Sequence, residues 1–197
     1  MKTDIILSGV GGQGILSIAA AIGMAAIHEN LFIKQAEVHG MSQRGGAVQS
    51  NLRISNTEIA SDLIPHGQAD IILSVEPMEA LRYLPFLSSE GWIVTNTAPF
   101  INIADYPDSA VIMQELKKHK NLIALDADKI ATELGTKKAS NMVMLGAASP
   151  FMQLSEKACR EGIRQIFERK GRDIIDLNLA AFDKGRKLAG EYQQSAV

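Results

Sequence analysis

Short apolar runs alternate along this chain with longer segments in which apolar residues recur every three or four positions, the signature of strands alternating with helices. Residues 4–8, centred on Ile5, Ile6 and Leu7, read as a short buried strand that runs straight into Gly9-Val10-Gly11-Gly12-Gln13-Gly14. An Ala-rich amphipathic segment over 15–30 follows and predicts a helix. A second strand, 32–39, ends in the polar glycine loop Gly40-Met41-Ser42-Gln43-Arg44-Gly45-Gly46. Beyond it Val48, Asn51, Arg53 and Ile54 mark an extended segment, and 55–57 reads as a hairpin turn before another strand over 58–64. After Pro65 the expected order is strand 71–75, helix 77–84 with Pro77 in its first turn, and strand 92–96. A helix over 109–119 and a strand over 122–125 come next, then a short helix capped by Asp126 or Asp128 and stopped by Gly135. From Asn141 onward the pattern is helical, broken at Pro150, capped again at Ser155, and closed by an amphipathic helix over 173–190.

This order predicts an α/β fold: a Rossmann-like three-layer domain with a mixed, mainly parallel sheet and a helical C-terminal end. With 197 residues, 46% of them hydrophobic, the chain is long enough for one sizeable core, and a single domain over 1–197 is expected. Twenty basic and 22 acidic residues give a formal net charge of -2 without any basic block, which argues against nucleic acid as a partner. No apolar run approaches the roughly 18 residues of a membrane span and no leader pattern is visible, so a cytoplasmic protein is expected. The only thiol is Cys159. It excludes an internal disulfide, and one cysteine cannot supply the roughly four thiolates of an iron-sulfur cluster or the several ligands of structural zinc. Cys159 reads as a buried spectator.

Gly9, Gly11 and Gly14 satisfy G-x-G-x-x-G between a strand and a helix, where backbone N–H groups and the helix dipole make an anion site. Glu37 stands at about the distance from this loop at which a dinucleotide-binding domain places its ribose-binding acid, so an NAD-dependent dehydrogenase is one reading. Against it, Glu37 leads into a second glycine loop, and the dense Gly11-Gly12-Gln13-Gly14 run is unusual for that fingerprint. Tight strand-to-helix packing alone also explains the glycines.

The combination of Gly9 to Gly14 with Glu37-Val38-His39-Gly40-Met41-Ser42-Gln43-Arg44-Gly45-Gly46 resembles the gamma-type domain of 2-oxoacid:ferredoxin oxidoreductases. The likeness continues through Asn51-Leu52-Arg53-Ile54, Asn141-Met142-Val143-Met144-Leu145-Gly146-Ala147 and Ala181-Phe182-Asp183-Lys184-Gly185-Arg186, and thus covers most of the chain. Within the family, the 39–46 segment is more similar to the branch acting on arylpyruvates such as indolepyruvate. The resemblance implies oxidative decarboxylation of a 2-oxoacid to an acyl-CoA, with coenzyme A as co-substrate and ferredoxin as acceptor through the complex. It also implies a large alpha subunit that carries thiamine diphosphate, Mg and the iron-sulfur clusters, because this chain lacks both a thiamine-type Gly-Asp-Gly segment and the cysteines. The chain is then a subunit that holds no cofactor alone and is inactive alone; a pure assembly module is the remaining alternative.

Two ligand- or partner-binding loops are therefore expected: Gly9, Gly11, Gly12, Gln13 and Gly14 in the first, His39, Ser42, Gln43, Arg44, Gly45 and Gly46 in the second. Arg44 is the side chain best suited to grip a carboxylate or phosphate, since its planar fork binds in two-point fashion and glycines let the ligand approach. His39 reads as a hydrogen-bonded structural histidine and no residue is assigned as catalytic. Asn141 is expected to cap its helix, Arg53 to pair with Glu58 across the hairpin, and Met142, Met144 and Leu145 to lie in the core or an interface. Lys117, Lys118, His119 and Lys120 read as a solvated helix end.

Overall fold

A computed structural model of the chain describes residues 1–39 and 45–195, with backbone alone at His39 and at 193–195. Its centre is a six-stranded sheet made of β1 (Lys2–Val10), β2 (Phe32–His39), β3 (Ala47–Ser55), β4 (Ala69–Ser74), β5 (Leu87–Asn96) and β6 (Leu122–Leu125). The strand order is β2-β3-β1-β4-β5-β6. β4 lies parallel to β1, β5 to β4 and β6 to β5. β3 runs antiparallel to both β1 and β2. The mixed, mainly parallel sheet is thus as the sequence predicts, and the antiparallel piece is β3 itself.

Side chains on successive residues of a strand face opposite ways, and the two faces carry two cores. Ile5, Leu7, Ile71, Leu73, Val94 and Ile123 point to one side, where they meet α1 (Ile15–His28), α4 (Ala127–Glu133), α5 (Ser140–Ala148), α6 (Glu156–Phe167) and α7 (Arg172–Ser195). Ile6, Ile72 and Ile93 point to the other, against Ala80 of α2 (Pro77–Arg82) and Ile112 and Leu116 of α3 (Ser109–Leu116). The result is three layers. α5 is the central helix of the thicker layer: every residue from Asn141 to Ala148 is buried, and Met142, Met144 and Leu145 belong to the core.

The sequence-predicted strand over 58–64 does not form, and the turn at 55–57 does not open a hairpin. The backbone there is satisfied by side chains instead. Asn51 Oδ1 accepts from the Ile64 N–H at 3.1 Å, and Arg53 Nη1 donates to the carbonyls of Ser61 and Leu63 at 3.0 and 3.1 Å. Arg53 does not pair with Glu58. Its guanidinium grips Asp4 on β1 through Nε to Oδ1 at 2.8 Å and Nη2 to Oδ2 at 3.0 Å, which ties β3 to β1. Cys159 is buried in the core as expected, and desolvation pushes its thiol up to about 12.

Candidate functional site

The first glycine loop closes on its own glutamine. Gln13 Oε1 accepts from the Val10 N–H at 2.7 Å, and its Nε2 reaches the Val75 carbonyl at 3.4 Å, so the side chain links the ends of β1 and β4. Gly14 caps α1 in the left-handed region at φ 82°, and no side chain caps that helix. A Cβ at Gly14 would stand 2.5 Å from Asn141 Nδ2, and one at Gly9 would stand 2.4 Å from Val75 Cγ2.

Antiparallel β3 brings the second loop to the first. His39, Val48 and Gly9 share one row of the sheet, and beyond it the Gly11 N–H donates to the Gly46 carbonyl at 2.9 Å while the Gly45 N–H approaches the Gly11 carbonyl at 3.5 Å. Asn102 Nδ2 also donates to the Gly45 carbonyl. Gly9, Gly11, Gly12, Gln13, Gly14, Gly45 and Gly46 are therefore neighbours in space. Ser42, Gln43 and Arg44 lie outside the described residues, as does the side chain of His39.

The same strand insertion separates Glu37 from the first loop. Glu37 is level with Ser50 and Ser50 with Leu7, so Glu37 lies two strands away and three residues short of the end of β1. Each offset is about 10 Å. The acid is not at the end of the strand beside the loop, where a ribose hydroxyl would need it.

Beyond the carboxyl ends of β1, β4 and β5 lies a cavity of about 770 Å³. α1 packs on one face of the sheet and α2 on the other, so the cavity stands at the point where neighbouring strands send their helices to opposite sides, the usual ligand position in open α/β sheets. Gly12, Gln13, Gly14 and Val75 form one wall; Pro99 and Phe100 a second; Lys137, Lys138 and Asn141 a third. Phe167, Ile174 and Leu177 give it an apolar side.

Two buried residues shape this space. Asn96, at the end of β5, accepts from the N–H groups of Ala98 at 3.2 Å and Ala127 at 3.0 Å, turning the chain away from the sheet. Glu76, fully buried, caps α2 through the Glu79 N–H at 2.8 Å and also accepts from the Phe100 N–H at 3.4 Å and the Tyr106 hydroxyl. Burial, with that bond to Glu76 next, raises the Tyr106 hydroxyl well above the ordinary tyrosine range. The segment 98–106 is thereby held across one side of the cavity. Nothing in the sequence pattern marks either residue, since Asn96 reads as the polar last residue of a strand and Glu76 as an ordinary polar group between a strand and a helix.

Asn141 corrects an expectation. It does not cap α5, which begins at Ser140 after a short 3-10 turn and has Ala139 at its cap position without a side-chain bond. Asn141 Nδ2 instead donates to the Gly14 carbonyl at 3.2 Å, across 127 positions of sequence. Its Oδ1 is buried and has no partner among the described residues.

The chain matches the pyruvate ferredoxin/flavodoxin oxidoreductase family over residues 4–188. It belongs to that family. Among its relatives is the indolepyruvate oxidoreductase subunit IorB of Pyrococcus horikoshii, 38% identical over 95% of this chain and 96% of the relative. The fold is shared with the gamma subunit of a keto/oxoacid ferredoxin oxidoreductase from Geobacter sulfurreducens, at TM-score 0.70 and 23% identity over 96% of this chain and 99% of that one. A 2-oxoglutarate:ferredoxin oxidoreductase from Magnetococcus marinus, solved with 2-oxoglutarate, coenzyme A and succinyl-CoA bound, superposes at TM-score 0.76 and 22% identity. There the match covers 96% of this chain but 31% of that one.

As a member of this oxidoreductase family the chain is poorly fitted to hold the redox groups itself. Its one cysteine is buried with a raised pKa, so it offers no thiolate for a cluster. Among the described residues no group of three or more His, Cys, Asp or Glu is placed to bind a metal. No helix among them is long and apolar enough to cross a membrane.

Proposed function

We propose that this chain is the small, cofactor-free subunit of a 2-oxoacid:ferredoxin oxidoreductase acting on arylpyruvates such as indolepyruvate. The observation that carries the reading is the near full-length likeness to the IorB subunit. The joining of the two glycine loops at one end of the sheet supports it, since that is where an α/β domain presents a ligand or a partner. In this reading the whole chain is one gamma-type domain in the cytoplasm. A large alpha subunit holds thiamine diphosphate, Mg and the iron-sulfur clusters, coenzyme A is the co-substrate, and ferredoxin takes electrons through the complex. This chain's own part is to present Gly9, Gly11, Gly12, Gln13, Gly14, Gly45 and Gly46, with His39, Ser42, Gln43 and Arg44, to the large subunit or to coenzyme A.

Reconstitution tests the assignment. The chain alone is expected to oxidise no indolepyruvate, and the chain with the large subunit to reduce ferredoxin in a manner dependent on coenzyme A. Oxidation by this chain alone, or none by the pair, defeats the reading. Arg44→Ala is expected to weaken assembly or raise the KM for coenzyme A, and an unchanged complex removes Arg44 from the site.

A further inference from the structure

The two edges of the sheet are built differently. β6 has only four residues, and the Tyr192 hydroxyl of α7 reaches its Ala124 carbonyl at 3.3 Å. β2, at the other edge, has eight residues, and its register against β3 runs unbroken from Phe32 to His39. It carries Lys34 but has neither the short length nor the proline or bulge by which sheet edges are normally protected. Phe32 and Val38 lie on one face of this strand and are 51% and 56% exposed. The flank above the other face is apolar as well. On α1, Leu16, Ala20, Gly23 and Ile27 recur at helical spacing, with Leu16 and Ile27 52% and 56% exposed. Gly23 shows where this stripe runs: a Cβ there would lie 3.3 Å from Ile33 Cδ1, so the stripe follows β2. α6 occupies a different side of α1, where Gly162 lies against the backbone of Ala21 and Ala25.

The occupant that fits this edge is a second copy of the chain. A two-fold axis normal to the sheet pairs two β2 strands antiparallel and keeps each face continuous, so only residues of the same face can stand opposite one another. With Gln35 on the axis, Phe32 of each copy meets Val38 of the other, an aromatic and β-branched pair made twice. Lys34 then stands opposite Ala36, and Ile33 opposite Glu37. The neighbouring registers are worse. Moving the axis to Lys34 sets two like charges face to face, and moving it to Ala36 carries Phe32 past the end of its partner strand. Eight residues make a strip about 26 Å long and, with α1 above it, roughly 20 Å deep. That is about 500 Å² from each copy and about 1,000 Å² in all, the lower bound of a specific interface. We propose that β2 pairs with β2 of a second copy in the Gln35-centred register, with the α1 stripes flanking the seam. The first glycine loop follows β1, two strands in from the seam, so the proposal does not rest on the subunit assignment.

Sedimentation velocity of the full chain tests it. The 21.3 kDa chain is expected to sediment as a dimer at about 100 μM, with dissociation in the micromolar range. Phe32→Lys and Val38→Lys, both at exposed positions, should each weaken the dimer about tenfold or more while leaving the circular dichroism spectrum unchanged. The double variant Phe32→Lys, Val38→Glu should restore it, because these positions face each other only across the seam. Gln35→Cys should close an intermolecular disulfide under mild oxidation, since paired Cα atoms about 4.5–5.5 Å apart suit that bond, and Cys159 is buried and does not compete. Lys34→Cys, whose two copies stand diagonally about 7–8 Å apart, should cross-link far more slowly. A wild-type chain that stays monomeric, a dimer that survives both lysine variants, or a double variant no better than the single ones overturns the proposal. So does a monomeric wild-type chain that loses its binding to the large subunit in Val38→Lys, which assigns the edge to that partner instead. Ferredoxin reduction by the reconstituted pair is read separately, so the dimer and the subunit assignment can each fail alone.

Discussion

At Gly14 two demands fall on one residue. Its φ of 82° lies in the left-handed region, where a Cβ costs about 1–2 kcal/mol, and that Cβ would also press on Asn141 at 2.5 Å. Gly14→Ala is therefore expected to lower stability by about 2 kcal/mol or more in urea unfolding, whereas Gly12→Ala, at φ 101° but with open space around it, pays only the backbone part. Cys159 gives a pH prediction. Its thiol stays protonated in the fold up to about 12, while in the unfolded chain it ionises near its ordinary value of 9, so the native state holds the extra proton between those values. Stability should fall as pH rises from about 9 toward 12, and Cys159→Ala should fall less steeply over that window, as read by chemical unfolding at each pH. The glycines of the first loop and the inertness of Cys159 were legible in the sequence, because each follows from local chemistry. The partnership of Asn141 with Gly14 was not, because an asparagine ahead of an apolar helix reads as a cap, and only tertiary packing decides that this helix starts two residues earlier, with Ala139 at its cap position.

Elements were read well where apolar residues run together or recur over several turns, and poorly where they are scattered among polar ones. α1, α7, β2 and β6 fall close to where the pattern puts them, and Ser155 caps α6 as expected. The segment 58–64 was misread because a few apolar residues within polar ones satisfy a strand template, while its real hydrogen bonds come from Asn51 and Arg53 side chains that no pattern reveals. That arrangement makes Arg53 the fastener of one strand and one loop. Arg53→Met should cost about 3 kcal/mol, since it strips the two-point partner from fully buried Asp4 and leaves only Lys2 at 2.8 Å. Hydrogen exchange should rise at Leu63 and Ile64 in the same variant. The α5 and α7 contact is tighter still. A Cβ at Gly185 would lie 1.9 Å from the Val143 carbonyl oxygen and one at Gly146 2.0 Å from that of Phe182, with backbone on the far side of each. Neither can yield by a rotamer change, so Gly185→Ala is expected to cost at least about 3 kcal/mol, measured by thermal unfolding.

For the molecule as a whole, the α/β order and the three layers followed from the alternation of the sequence, while the strand order did not, because pairing between β3 and β1 is a long-range choice. The thicker layer depends on its last helix. α7 covers α5 with Leu179, Ala181, Phe182 and Ala189, all buried. Burial of side chains as large as Leu179 and Phe182 contributes about 1.5–3 kcal/mol each, against a total of about 5–15 kcal/mol for an ordinary domain. A chain ending at Gly171 is therefore expected to show no cooperative thermal transition by circular dichroism. The position of β3 has a different kind of consequence. Because β3 returns beside β1 with its own complete ladder, residues 40–44 join two strands whose register is already fixed on both sides. Additions or deletions at that joint are expected to leave every strand in place, so the length of this connection can vary independently of the scaffold on either side of it.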